Sequence, residues 1–512
     1  MKKVILSILL MLLPMLASAD AVEIDGICYN LIEKGMVAEV TRNFNHSYSG
    51  NLIIPPKVNY GGSDYNVTSI GGDVSYNGNT YLGGAFRGCT GLTSVTIPNS
   101  VKSIGYGAFY GCSGLNSVAI PENVTSIGEN AFFGCSGLAS INIPESATSI
   151  GEAAFRDCSG LTSIIIPSSW SSIGRSVFYG CTGLTSITIP DNIHSIGEAA
   201  FLGCTGLTSV SIPNSVNEIG NQAFDGCTSL SSIIIPSSVC YIGKGAFSAC
   251  RALTSITIPE SVTSIGSGTF ARCTSLTSIN IPQSITSIGG DNLYGGAFSG
   301  CTSLSIIIIP NKVTSIGNQV FLGCENLKTV KIGSGMKSIG SYAFMNCPKL
   351  ADVYCYSKNV PSTNSDVFKN SYIQYATLHV PPSSVSLYQQ RATWSSFGTI
   401  VGDGEGEDVP KCATPTISVE NGKVKFCCET EGVTYHYNIV SLGSKSGVGN
   451  DVELKNSYSV TVYATKENYI NSDSVTAEIE SVGAIKGDVN NDGDVNVADH
   501  VELSKIILKQ EQ

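Results

Sequence analysis

A phenylalanine, a cysteine three residues after it and a leucine three after that recur along this chain at a fixed interval of 23 residues, from Phe86-Cys89-Leu92 to Phe344-Cys347-Leu350. The interval holds from Cys89 to Cys273, lengthens once to 28 before Cys301, and returns to 23 for Cys324 and Cys347. The unit reads L-T-S-I-x-I-P-x-S-V-x-S-I-G-x-x-A-F-x-G-C-T-x. A repeat of about 20–29 residues is too short to enclose its own apolar side chains, so each unit buries them against the units before and after it. The chain is therefore expected to be mainly β, a solenoid of about twelve 23-residue coils.

Within one unit, Leu92 to Ile97 comes close to the alternation of a strand, and Pro98 ends it because proline has no N–H to give to a ladder. Ile104-Gly105 marks a second, shorter extended piece and a turn. Coils stacked about 4.8 Å apart would pair these strands in a parallel sheet, with Leu, Ile, Phe and Cys in the interior. The outward positions are mostly hydroxyls: Thr93, Ser94 and Thr96, then Thr185, Ser186 and Thr188, then Thr254, Ser255 and Thr257. Such columns could hydrogen-bond a glycan or an extended protein, although Thr and Ser also suit the exposed side of any β surface.

Two coils carry insertions before their phenylalanine, Gly71 to Gly84 (ending YLGGAF) and Gly290 to Gly296 (within LYGGAF). Insertions emerge on one face of a solenoid, often the binding face, which makes Tyr76, Tyr81 and Tyr294 candidate ligand contacts. Plain surface loops are the competing reading.

Twelve of the 18 cysteines fall on the repeat register. Stacked coils bring such positions within disulfide range, yet a column of thiols is also an ordinary small apolar filler, and identical coils prefer no pairing scheme. Free buried thiols are the favoured expectation. Cys28, Cys240, Cys355, Cys412, Cys427 and Cys428 lie off the register and stay undecided.

The first 19 residues read as a secretory leader: Met1-Lys2-Lys3, an apolar run from Val4 to Leu13, and Ala17-Ser18-Ala19 before a mature start at Asp20. An exported protein, extracellular or at the cell surface, is expected. No later stretch reaches the roughly 18 apolar residues of a spanning helix. A net charge of −11 argues against nucleic acid and anionic membranes as partners. Five scattered histidines and the lack of any carboxylate pair or nucleophile–base arrangement in the repeats argue against an enzyme.

Residues 402–410 form an acidic linker, and 411–482 contain strand-like segments at 415–420, 423–429, 434–439, 457–464 and 474–479. Asn421-Gly422 is a strong hairpin signal between the first two. Further on, Asp488, Asn490, Asp492, Asp494 and Asp499, with Gly493 at the turn and Asn496 acting through water, occupy the positions of an EF-hand-like calcium loop. The expected ligand is calcium, held by hard oxygens. Leu503, Ile506 and Ile507 would then share one face of a following helix, with Val501 and Leu508 roughly opposite.

The phrases LTSITIP, SVTSIG and GAFYGCSGL resemble the BspA-type (Treponema-type) leucine-rich repeats of bacterial surface proteins over roughly residues 50–400. The resemblance makes 20–70 an N-terminal cap and 71–401 the solenoid, with its C-terminal cap after Tyr354-Cys355-Tyr356. It implies a non-enzymatic adhesin whose ligands are host matrix protein, other cells or glycan. KCATPTI and VTVYATKENY resemble immunoglobulin-like or fibronectin-III-like modules appended to such proteins, placing a small sandwich at 411–482. Segment 487–512 is similar to a dockerin, with one D-x-N-x-D-G-x-V-N-x-x-D repeat where dockerins usually have two. That likeness implies a cohesin-like partner and an alternative role as a non-catalytic subunit of a surface or polysaccharide-degrading assembly.

Overall fold

The computed structural model describes residues 21–43, 46–71, 75–76, 80–81, 83–404, 412–420, 423–441, 457–465, 472 and 475–480. The chain divides into two units, Met1–Gly406 and Glu407–Gln512. The first is a β-solenoid of about 13 turns with almost no helix. The leader and the calcium-loop segment lie outside the described residues.

Each coil has three sides. The first carries the longer strands, among them Leu92–Thr96, Ser186–Thr188, Ser209–Ser211, Ile306–Ile309 and Thr329–Ile332. They pair in parallel and in register: Ser186 faces Ser209, Ile187 faces Val210, and Thr188 faces Ser211. The second side carries two-residue Ser-Ile strands such as Ser103–Ile104 and Ser126–Ile127, also parallel and in register. On the third side the described residues of the regular coils form no strand, but backbone bonds still run from coil to coil. The N–H of Phe109 donates to Ala131 O at 2.7 Å and that of Gly111 to Phe133 O at 2.6 Å. Ala153, Ser176 and Ala199 adopt φ near +54° here. The same strained conformation recurs coil after coil, held by the bonds to the next turn.

The repeated phenylalanine forms one continuous column. Thirteen rings, from Phe86 to Phe368, stack with centroids 5.0–5.9 Å apart. Tyr48 closes the column edge-on at one end, 5.1 Å from Phe86. Trp394 and Phe397 meet Phe368 edge-on at the other. Edge-to-face contacts suit both ends, because a ring with no further coil to stack on presents a negative π face to positive ring edges.

The cysteine column runs beside the rings. No disulfide joins any of the cysteines, and the twelve on the register are buried. From the second coil on, each thiol donates to the phenylalanine carbonyl of the preceding coil, as Cys112 does to Phe86 O at 3.0 Å and Cys204 to Phe178 O at 3.1 Å. Burial pushes up these eleven thiols, Cys112 to Cys347, with Cys135 raised to about 12. One turn past the last register cysteine, Ser371 takes the same place and donates to Phe344 O.

Both ends are capped. Strands Val22–Ile24, Ile27–Ile32 and Val37–Val40 form an antiparallel meander that joins Ser63–Ile70 and, through it, the Ser-Ile row. At the other end, Trp394 Nε1 donates to Pro361 O and the Tyr388 hydroxyl to Ser357 O, both from buried positions. No helix among the described residues is long and apolar enough to cross a membrane.

The second unit has an antiparallel pair, Thr416–Glu420 with Lys423–Cys427, and a three-stranded antiparallel sheet of Thr434–Ser441, Ser457–Thr465 and Val475–Glu480. Glu420 pairs with Lys423, so the connection is two residues long, as Asn421-Gly422 suggests. Val460, Val462 and Ala464 are buried on one side of the central strand. Phe426 packs on Tyr435 and Tyr437, at 5.8 and 5.2 Å.

Candidate ligand-binding faces

On the strand side of the solenoid, Leu184, Ile187 and Ile189 point inward and are buried. Thr185, Ser186 and Thr188 are exposed. Three coils on, Thr254 is exposed and Ser255 half-buried, whereas Thr257 is 9% exposed. Its hydroxyl has no hydrogen-bond partner among the described residues. Thr257 thus departs from the outward position expected of it. Its neighbours at equivalent positions are Ile234 and Asn280, both with larger side chains, and Asn280 is buried as well.

The hydroxyls on this face are partly committed already. Thr208 Oγ1 donates to Thr185 O at 3.1 Å, and Thr277 Oγ1 to Thr254 O at 3.4 Å. A hydroxyl has one proton to give, so such threonines offer a ligand their lone pairs and methyl groups. Nor is the face uniform. Ile53 and Ile165 stand 71% and 75% exposed in the column that holds Thr188. In the last coils the same column becomes Lys331, Tyr354 and His379, which pair in register. Lys331 lies over the Tyr354 ring at 5.6 Å, and that ring stacks on His379 at 4.1 Å. The imidazole bridges two carboxylates, Asp403 at 2.9 Å and Asp352 at 3.4 Å.

The second insertion folds into a hairpin in which Gly290–Asp291 pairs with Gly295–Gly296. Tyr294 is turned onto the preceding coils: a Cβ built on Gly245 would lie 3.5 Å from its ring, and one on Gly268 2.6 Å from its carbonyl oxygen. Asp291 fixes the turn, accepting the N–H groups of Tyr294 at 2.8 Å and Leu293 at 3.0 Å. It also pairs with Lys244 at 3.1 Å. The Tyr294 N–H above all holds its carboxyl down at about 2. Tyr294 therefore anchors the loop, and the exposed apolar group at its tip is Leu293, 82% exposed. Tyr76 and Tyr81 lie on the two strands of another short antiparallel hairpin, Ser75–Tyr76 with Thr80–Tyr81.

A third feature was not foreseen. On the side without strands, the residue after each phenylalanine is Arg87, Tyr110, Phe133, Arg156 and Tyr179 in five successive coils, all half-buried. Arg87 lies over Tyr110 at 4.1 Å, Tyr110 stacks on Phe133 at 4.5 Å, and Arg156 covers Phe133 and Tyr179 at 5.3 and 3.9 Å. Tyr110 and Phe133 are covered on both faces and Tyr179 on one, so this part of the strip presents ring edges, hydroxyls and guanidinium groups.

Asp488, Asn490, Asp492, Asp494 and Asp499 lie outside the described residues. Among the described residues, no group of three or more His, Cys, Asp or Glu could hold a metal ion.

Residues 82–208, 194–295 and 291–392 match the BspA type leucine rich repeat region, in six copies. A leucine-rich repeat protein from Bacteroides ovatus is 28% identical over 70% of this chain and 99% of its own, with a TM-score of 0.53. A leucine rich cell surface protein from Faecalibacterium prausnitzii is 32% identical over 66% of this chain and 94% of its own, with a TM-score of 0.48. The pneumococcal vaccine antigen PcpA is 19% identical over 75% of this chain and 98% of its own, with a TM-score of 0.48. No curated protein matches.

Proposed function

Because the chain belongs to the BspA-type leucine-rich-repeat family, we propose that it is an exported, non-enzymatic surface protein that binds an extended protein or glycan along the strand side of its solenoid. Leucine-rich-repeat proteins are typically binding scaffolds, and a leader at residues 1–19 fits export. The observation that carries the reading is the run of uncharged, hydroxyl-rich side chains over the middle coils, with Thr185 exposed and Ser186 and Thr188 paired in register with the half-buried Ser209 and Ser211 of the next coil. Contacts there rest on shape and hydrogen bonds. Binding should hence change little between moderate and high salt, unlike association driven by charge.

The test takes residues 20–406 to arrays of matrix proteins and glycans, then repeats it with Thr185→Arg and Thr254→Arg combined. Loss of at least tenfold in affinity, with unchanged circular dichroism, is expected. Full binding by the double variant, or a steep fall in affinity with salt, would refute the strand-side site. Loss of binding confined to Tyr76→Ala, Tyr81→Ala and Tyr294→Ala would move it to the insertions.

The D-x-N-x-D-G pattern from Asp488 favours a second role for the tail, as a calcium-dependent attachment segment toward a cohesin-like partner. Removing residues 487–512 separates the two: a self-sufficient adhesin keeps its ligand, and a subunit of a larger assembly loses its partner.

A further inference from the structure

The cysteines off the repeat register include three within the second unit, and their surroundings differ sharply. Cys427 ends a strand, is exposed, and sits across from Thr416. Successive side chains of a strand point to opposite faces. Val424 and Phe426 are half-buried on one face, whereas Lys425 and Cys427 are exposed on the other. Cys428 follows with the parity of Phe426, is half-buried, and so belongs to the inner face. Cys412 is also inside, 2% exposed.

Hydrogen bonds bring the segments of Cys412 and Cys428 together. Cys428 Sγ donates to Ala413 O at 3.0 Å, one residue on from Cys412. The N–H of the same Ala413 donates to Thr430 Oγ1 at 2.9 Å. Both polar backbone groups of the residue next to Cys412 are thus tied to 428–430, and a single residue spans only about 3.8 Å. The register cysteines sit elsewhere: all are buried in the solenoid, and from Cys112 on each thiol donates to the phenylalanine carbonyl of the preceding coil.

We propose that Cys412 and Cys428 are a redox pair that closes to a disulfide once the protein meets an oxidising compartment, staple-fashion, between the entry of the second unit and the end of its first hairpin. Two S–H bonds break and one S–S bond forms. The two protons and two electrons pass to a disulfide oxidant, an exchange catalyst or oxidised glutathione, which leaves as its dithiol or two thiols. The proposal rests on the export reading for its setting, not for its chemistry.

The full-length chain, refolded in a glutathione redox buffer, is denatured, alkylated without reductant and digested with trypsin. Lys411, Lys423 and Lys425 flank the cysteines, so the link appears as a peptide beginning at Cys412 joined to one beginning at Phe426, and reduction separates them. Cys427→Ser should keep the link and Cys428→Ser abolish it, while the register cysteines are alkylated in every sample. Alkylation of Cys412 and Cys428 in the wild type, or a link that survives Cys428→Ser through Cys427, overturns the proposal. Cells are assayed separately for export, so a chain that stays inside yet forms the link in vitro counts against export alone.

Discussion

Phe178 lies between Phe155 at 5.9 Å and Phe201 at 5.5 Å, with no solvent exposure. Cutting it to alanine removes both stacking partners and leaves a cavity that neighbours on a fixed coil spacing cannot close. Phe178→Ala should cost about 3–5 kcal/mol, read as a lower denaturation midpoint. Leu202→Ala, in the half-buried surface position one coil on, should cost much less; equal losses would remove the ring column from the core. Asp291 gives a pH signature. Its folded carboxyl, at about 2, lies below the ordinary 3.8. The ionised form therefore stabilises the hairpin above the ordinary value, and that contribution disappears as pH falls through the folded one. Pepsin should cut at Leu293 only as the pH drops from about 4 toward 2, and Asp291→Asn should be cut across the whole range. At this scale the interior was legible because the same residue returns every 23 positions. The Arg87–Tyr179 strip was not, since its members differ and become neighbours only when successive repeats are laid side by side.

The hairpin at 290–296 is the one element among the described residues of the middle coils that breaks the pattern, and its glycines explain how the pattern survives. A Cβ on Gly290 would come 1.8 Å from Asn318 O, and one on Gly296 1.9 Å from Gln319 O. The five extra residues leave and re-enter the coil through these two tight contacts, so the Phe298 ring still stacks on Phe270 at 5.6 Å. Gly290→Ala should lift the hairpin off its seat and open Tyr294, with the already exposed Leu293, to cleavage by chymotrypsin at neutral pH, with the flanking coils intact. Resistance equal to the wild type would show that the contact is relieved elsewhere. The sequence indicated an insertion here and tyrosine as its contact group. Its hydrophobic tip proved to be Leu293, because Gly245 and Gly268, each lacking a side chain, leave a seat that the tyrosine fills. Likewise the strand segments of the second unit were readable from alternation, whereas packing of Phe426 on Tyr435 and Tyr437 depends on a sheet-to-sheet contact that no local pattern encodes.

Over the whole molecule, stability is close to a sum of coil and neighbour terms, and the calcium loop should stand outside that sum. Asp488→Ala with Asp492→Ala should abolish the heat of calcium binding in calorimetry and leave the solenoid's circular dichroism unchanged. No heat from the wild type would remove calcium from this protein. The repeat predicted about twelve coils, and the ring column has thirteen members because Phe368 continues it after Ser371 has replaced the cysteine, the residue by which the coils were counted. That column has a further consequence. Tyr48 at one end and Trp394 with Phe397 at the other each meet a phenylalanine face, and every face between them is alike. Neither cap can therefore sense how many coils separate them. Unequal recombination within the gene can add or drop a whole 23-residue unit and still yield closed ends, so reach is a heritable variable that changes without rebuilding the fold. A fraction of a unit is another matter, for it must be extruded, as the five residues before Phe298 are, or it throws every later ring off the stack.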